Sequence, residues 1–159
     1  MREVLELLER DCRLTAEEIA TRLGMEPAAV EASIAAAERE GTIAGYSALV
    51  NWERSGTPKV YAFIAVSATP EHGKGFDAVA DYISHFDEVH SAYLMSGTSD
   101  LQVVVEGEDF REIARFVAEK LALVPGVRST ATSFVLKTYK LEGRLAQETP
   151  GNGRLVVSP

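Results

Sequence analysis

Val4, Leu5 and Leu8 recur at helical spacing between Arg and Glu residues, which predicts a short amphipathic helix over residues 2–10. Thr15-Ala-Glu-Glu18 is a capping box, since Thr15 can accept the backbone N–H three residues on and Glu18 can reach back. The helix it starts buries Ile19, Ala20 and Leu23, and Gly24 stops it. Pro27 suits a first helical position, and Val30, Ile34 and Ala37 mark one face of a third helix that runs to Gly41. Ile43 to Val50 reads as a strand, its alternation weakened by Gly45. One helix, then two joined by a tight Gly-containing turn, then a strand is the order of a winged helix-turn-helix, with Pro27–Glu40 as recognition helix. A plain three-helix bundle has the same periodicity.

Residues 51–58, with Gly56 and Pro58, break both periodicities and read as a linker in which Trp52 packs. From Lys59 the grammar changes. Val60, Ala62, Ile64 and Val66 alternate with Tyr61, Phe63 and Ala65, which predicts a strand. Phe76, Val79, Ala80 and Ile83 return to helical spacing. Two apolar runs between Val89 and Gly107 flank the polar turn 96–100, a hairpin signal. Asp109 can cap a helix carrying Phe110, Ile113, Ala114, Val117 and Leu121 on one face, and after Pro125-Gly126 a last strand runs from Val127 to Tyr139. The order β-α-β-β-α-β predicts a ferredoxin-like domain over 59–141, so the chain as a whole is α+β, with a winged helix-turn-helix at 1–50 and an antiparallel sheet after it. Helices can cover one sheet face, yet Tyr61 and Phe63 make the other apolar too, which predicts a homodimer through that face. Residues 142–159 read as a polar, turn-rich tail whose Leu155-Val-Val157 docks at its end.

No run approaches the length of a membrane span and no secretion signal precedes the first helix, so the expected location is the cytoplasm, which one cysteine, Cys12, also fits. The net charge is −8, of which residues 1–50 hold −5 from five Arg and ten acidic residues. Such a chain is not built for indiscriminate polyanion binding. Three scattered His show no metal spacing, and no phosphate loop or nucleophile elbow is present, which predicts neither enzyme, cofactor nor metal site. The turn has its own chemistry. Asp100 can pair with an α-ammonium, and turn N–H groups and Thr hydroxyls suit a carboxylate; the same Asp can instead satisfy backbone N–H groups of the turn.

In this order the elements resemble the Lrp/AsnC family of bacterial and archaeal regulators over about residues 4–141. The likeness lies in Leu7-Leu8, Arg13-Leu14-Thr15, Ile19-Ala20, Leu23-Gly24 and Pro27 for the first helices, and in Glu38–Ile43 with Gly45-Tyr46 for the helix end and wing. Ser96-Gly97 with Asp100 looks like the family's Gly-x-x-Asp turn, and Pro125-Gly126-Val127 with Thr130 and Thr132 like its last loop and strand. The resemblance implies a transcription regulator that dimerises, often to octamers, and senses a small effector, usually an amino acid. It implies effector contacts at Ser96, Gly97, Thr98, Asp100, Thr130 and Thr132. For double-stranded DNA it implies contacts at Thr15, Pro27, Ala28, Ala29, Ala32, Ser33, Ala36 and Arg39.

The residues depart from the family in the third helix, which usually offers basic and hydroxyl side chains. Here only Arg39 is basic, and Glu26 and Glu31 stand where phosphate or base contacts would be made. Ser33 can reach a base or phosphate, and Ala29 and Ala32 a thymine methyl. The alternative expectation is therefore an amino-acid-binding oligomeric sensor without DNA binding of its own. Decarboxylases of haem precursors share the architecture but carry an Arg/His/Asn/Tyr cluster. The hairpin here offers His90, Tyr93 and Asp100, with no Arg along its strands.

Overall fold

The computed structural model describes residues 1–73 and 75–146, and the chain divides into two compact units at Leu49/Val50. The docking segment expected at Leu155–Val157 lies outside the described residues.

The first unit is three helices, α1 (Arg2–Arg10), α2 (Ala16–Leu23) and α3 (Pro27–Arg39). Both halves of the capping box form: Thr15 Oγ1 accepts from the Glu18 N–H at 3.2 Å, and the Thr15 N–H donates to Glu18 Oε2 at 2.9 Å. Gly24 takes φ 64°, where a side chain would be strained, and lets the chain turn sharply into α3. Val4, Leu8, Ile19, Ala20 and Val30 form the core, with Leu14, Ile34 and Ile43 against it. The strand expected over Ile43–Val50 is absent. Residues 44–50 form no strand and no ladder pairing among the described residues, and Tyr46, Leu49 and Val50 are exposed. A strand exists only through its ladder, and three helices offer no neighbour to pair with.

The second unit opens with a 3-10 turn, Trp52–Arg54, and Lys59, just past the segment read as linker, lies over the Trp52 ring. It then forms β1 (Val60–Ala68), α4 (Asp77–Ser84), β2 (Val89–Leu94), β3 (Leu101–Gly107), α5 (Phe110–Glu119) and β4 (Val127–Phe134). The sheet order is β2-β3-β1-β4, with every neighbouring pair antiparallel. Ala62, Ile64, Val66 and Ala68 of β1, with Leu101, Val103 and Val105 of β3, meet Val79 and Ile83 of α4 and Ile113 and Phe116 of α5. Both helices thus cover one face. The other presents Tyr61, Phe63 and Ala65 beside Glu106, Val104 and Gln102, and Phe63 is 47% exposed.

Three expectations are corrected here. The buried face of α5 is built on Ile113 and Phe116, while Ala114 points to solvent, because the helix is rotated so that Phe116 meets Phe86 edge-on at 5.5 Å. The last strand ends at Phe134 rather than Tyr139. Val135 donates to the Tyr61 carbonyl at 2.8 Å, and β1 starts at Val60, so the ladder partner runs out there. The expected start of a tail at 142 falls inside a hairpin, β5 (Lys140–Leu141) and β6 (Arg144–Leu145). Its turn residues Glu142 and Gly143 both have positive φ, as a two-residue primed turn needs.

Candidate functional site

The first candidate surface is α3 with the turn before it. Its inward side is Val30, Ile34 and Ala37. Pro27, Ala28, Ala29, Ala32 and Arg39 are exposed, and Ser33 and Ala36 are half-buried. Glu26 and Glu31 are exposed among them, so the outward side is mostly small side chains edged with negative charge. The Thr15 hydroxyl is already used in the cap of α2. Glu38 accepts the Tyr46 hydroxyl at 2.9 Å, and that bond pushes the Tyr46 phenol up from its ordinary range.

The second candidate surface lies where the β2–β3 turn meets the end of β1. Met95 N–H donates to the Asp100 carbonyl at 2.9 Å and closes the turn, and Asp100 N–H donates to the Val66 carbonyl at 3.0 Å. Asp100 Oδ2 accepts the Ala68 N–H at 2.8 Å. Asp100 therefore joins the turn to β1 and remains partly open to solvent. Ser96, Gly97 and Thr98 are exposed at the tip. Gly97 is not held at positive φ, and a Cβ there would meet nothing within 4 Å. The fold of this chain does not itself require glycine at that place.

Thr130 sits opposite Val66, which pairs with Leu101, so it lies across β1 from the start of β3, about 10 Å away by two strand spacings, and Thr132, opposite Ile64 and Val103, lies further along the sheet from the turn. What reaches Asp100 from β4 is Arg128, whose Nη2 lies 3.4 Å from Asp100 Oδ2. The β1–β4 register slips between Ser67 and Ala68, which pair with Ser129 and Val127. Arg128 is the extra residue of that bulge, and bulges re-aim a side chain. The sequence reading found no Arg along the hairpin strands and missed Arg128, because it comes from another strand. The signal present was a lone basic residue directly after Pro125-Gly126-Val127.

A third cluster occupies the open sheet face. Lys59 Nζ lies 2.8 Å from Glu106 Oε1, and His90 meets the Tyr61 ring edge-on at 6.1 Å. The bond from Lys59 holds the Glu106 carboxyl below its ordinary range, and the bond to Glu106 raises Lys59. Burial, more than the nearby Glu106 carboxylate, raises Tyr61.

Comparison with known proteins covers both units. The model of the Lrp/AsnC ligand binding domain matches residues 61–145, and that of a winged helix-turn-helix DNA-binding domain matches residues 1–44. The chain is similar to the HTH-type transcriptional regulator YugG of Bacillus subtilis, at 42% identity over 99% of this chain and 95% of that one. Among solved structures, the leucine response regulatory protein LrpA of Mycobacterium tuberculosis superposes with a TM-score of 0.74 at 28% identity, over 89% of this chain and 93% of the other. A transcriptional regulator from Neisseria meningitidis in complex with L-methionine gives 0.69 at 26% identity, over 87% and 89%.

Proposed function

Since the chain belongs to the Lrp/AsnC family of transcriptional regulators, we propose that it binds double-stranded DNA as a homodimer or higher oligomer, an octamer included, and that an amino acid modulates this binding. The observation that carries the reading is the presence in one chain of a helix-turn-helix unit and a ligand-binding unit of that family, each matched by its own domain model. The family is one of transcriptional regulators rather than enzymes.

The DNA contacts are assigned to α3 and the turn before it, at Pro27, Ala28, Ala29, Ala32, Ser33, Ala36 and Arg39, with Thr15 acting through the cap of α2. The effector contacts are assigned to Ser96, Gly97, Thr98 and Asp100 of the turn and to Thr130 and Thr132 of β4. Three things support the effector assignment. Asp100 supplies a partly exposed carboxylate. Gly97 has no steric reason within the chain, as suits a place that a ligand or another backbone approaches. The Neisseria relative was solved with an amino acid. Dimerisation is supported by the open sheet face, where Phe63 and its neighbours expose apolar area. A regulator of this kind works where the DNA is, so we place it in the cytoplasm; no helix among the described residues is long and apolar enough to cross a membrane.

A second reading, a sensor without DNA binding of its own, is favoured by one observation, the exposed Glu26 and Glu31 on α3. The test is a gel shift with the DNA upstream of the protein's own gene, at low and moderate salt, repeated with each of the twenty amino acids. A specific shift that one amino acid alters establishes the regulator. No shift under any condition, from an oligomer that still binds an amino acid, establishes the sensor.

A further inference from the structure

The β-bulge in β4 has a chemical consequence at the effector turn. A bulge adds one residue to one strand and turns its side chain out of the regular alternation. Here the added residue is Arg128, and it is turned toward Asp100, 28 residues earlier in the chain. The two charges meet through one long contact at 3.4 Å, with the Arg128 side chain 62% exposed and Asp100 28% exposed. An Arg matched to a carboxylate would use two parallel N–H donors at shorter range. This pair does not, and an exposed pair of that kind is weakly held. Asp100 is anchored independently by the Ala68 N–H, so its position does not depend on Arg128.

From this geometry we infer that Arg128 is the anchor for the α-carboxylate of the effector, and that Asp100 holds it in place until the effector arrives. The inference rests on the amino-acid reading of the turn and goes beyond it, because neither the turn motif nor the threonines of β4 point to Arg128. An amino acid is a zwitterion, and Asp100 and Arg128 are a matching pair of opposite charges at one end of the sheet. A ligand entering between them exchanges one weak ion pair for two. The α-ammonium goes to Asp100, which keeps its bond from Ala68. The α-carboxylate goes to the guanidinium, whose planar fork accepts it with two N–H donors. The site then selects for an intact amino acid. An amine lacking the carboxylate leaves Arg128 with no partner on the ligand, and an acid lacking the amine brings a second anion to Asp100.

The test is calorimetric titration of the full chain with L-methionine, then with the other nineteen amino acids, and with the amide of whichever one binds. It is run on the wild type, Arg128→Met and Arg128→Lys. The wild type is expected to prefer the amino acid over its amide by at least tenfold. Arg128→Met is expected to lose that preference by weakening the amino acid alone, and Arg128→Lys to recover part of it. The ratio of the two affinities is the readout because a variant that merely loosened the fold would weaken both ligands alike. A wild-type ratio retained in Arg128→Met overturns the assignment of Arg128 while leaving the effector site standing. A wild type that binds none of the twenty overturns the amino-acid reading, and this inference with it.

Discussion

Asp100 has a structural duty in the turn and a proposed one toward the effector, and measurement can separate the two. Its Oδ2 accepts the Ala68 N–H, so Asp100→Ala leaves a backbone donor short of its partner and is expected to cost about 1–2 kcal/mol of stability. Thermal or denaturant unfolding reads that loss. Asp100→Asn keeps an oxygen acceptor for the Ala68 N–H but drops the charge. It is expected to stay close to wild type in stability and to lose effector affinity in calorimetry. Both variants equal to wild type in affinity would remove Asp100 from the binding site. The pair Lys59–Glu106 makes a prediction in pH. Glu106 is held below its ordinary carboxylate range by Lys59, so the folded state binds that proton less readily than the unfolded chain does. The contribution is full above the ordinary carboxylate range and fades as pH falls through the lowered value. Lys59 is raised by the same bond, so its share is full below the ordinary lysine range and is lost as pH rises through the raised value. Melting curves of wild type and Glu106→Gln should therefore differ near neutrality and converge in acid.

Two turns carry predictions at the level of the element. The capping box of α2 satisfies two backbone donors through one pair of side chains. Thr15→Ala is expected to cost about 0.5–2 kcal/mol, read as a lowered melting temperature. The turn into β4 depends on Gly126, which sits at φ 91° with its Cα facing Val79. A Cβ there would lie 2.8 Å from Val79 Cγ2, a contact real side chains do not tolerate. Gly126→Ala is expected to cost at least about 1–3 kcal/mol from the backbone conformation alone. Because the same turn precedes the bulge, it should also disturb effector binding, unlike Gly143→Ala in the small β5–β6 hairpin. The contrast between the two glycines in one calorimetric series checks this.

At the level of the whole molecule the proposed dimer makes the open sheet face, with its exposed Phe63, the place to test assembly. Phe63→Glu places a charge among Tyr61, Val104 and Ala65. Burying it in a dimer would cost far more than leaving it in water. The variant is expected to sediment as a monomer at concentrations where the wild type is a dimer, with unchanged helix content. An unchanged sedimentation coefficient would move the interface elsewhere. The DNA binding proposed for α3, which holds one Arg and two Glu, should fade steeply with salt. If Ser33→Ala and Arg39→Ala leave operator affinity unaltered, α3 is not the reader.

Much of the molecule was legible from local chemistry. The capping box, the glycine that ends α2, the hairpin closing on Asp100 and the alternation in β1 are each set by residues within a few positions of one another, and helix and strand periods follow from backbone geometry alone. The order of those elements left few ways to connect the sheet, so its topology was legible as well. What only tertiary structure decided is where partners meet and where they run out. The segment 44–50 looks like a strand but has no neighbour, and the last strand stops at Phe134 because β1 begins at Val60. The rotation of α5, which buries Phe116 and exposes Ala114, sets Phe116 against Phe86 in the turn after α4, a distant part of the chain. Arg128 meets Asp100 only through a slip in register between two strands. Ladders, bulges and ion pairs of this kind join residues distant in sequence, and no local period or cap encodes the alignment that brings them together.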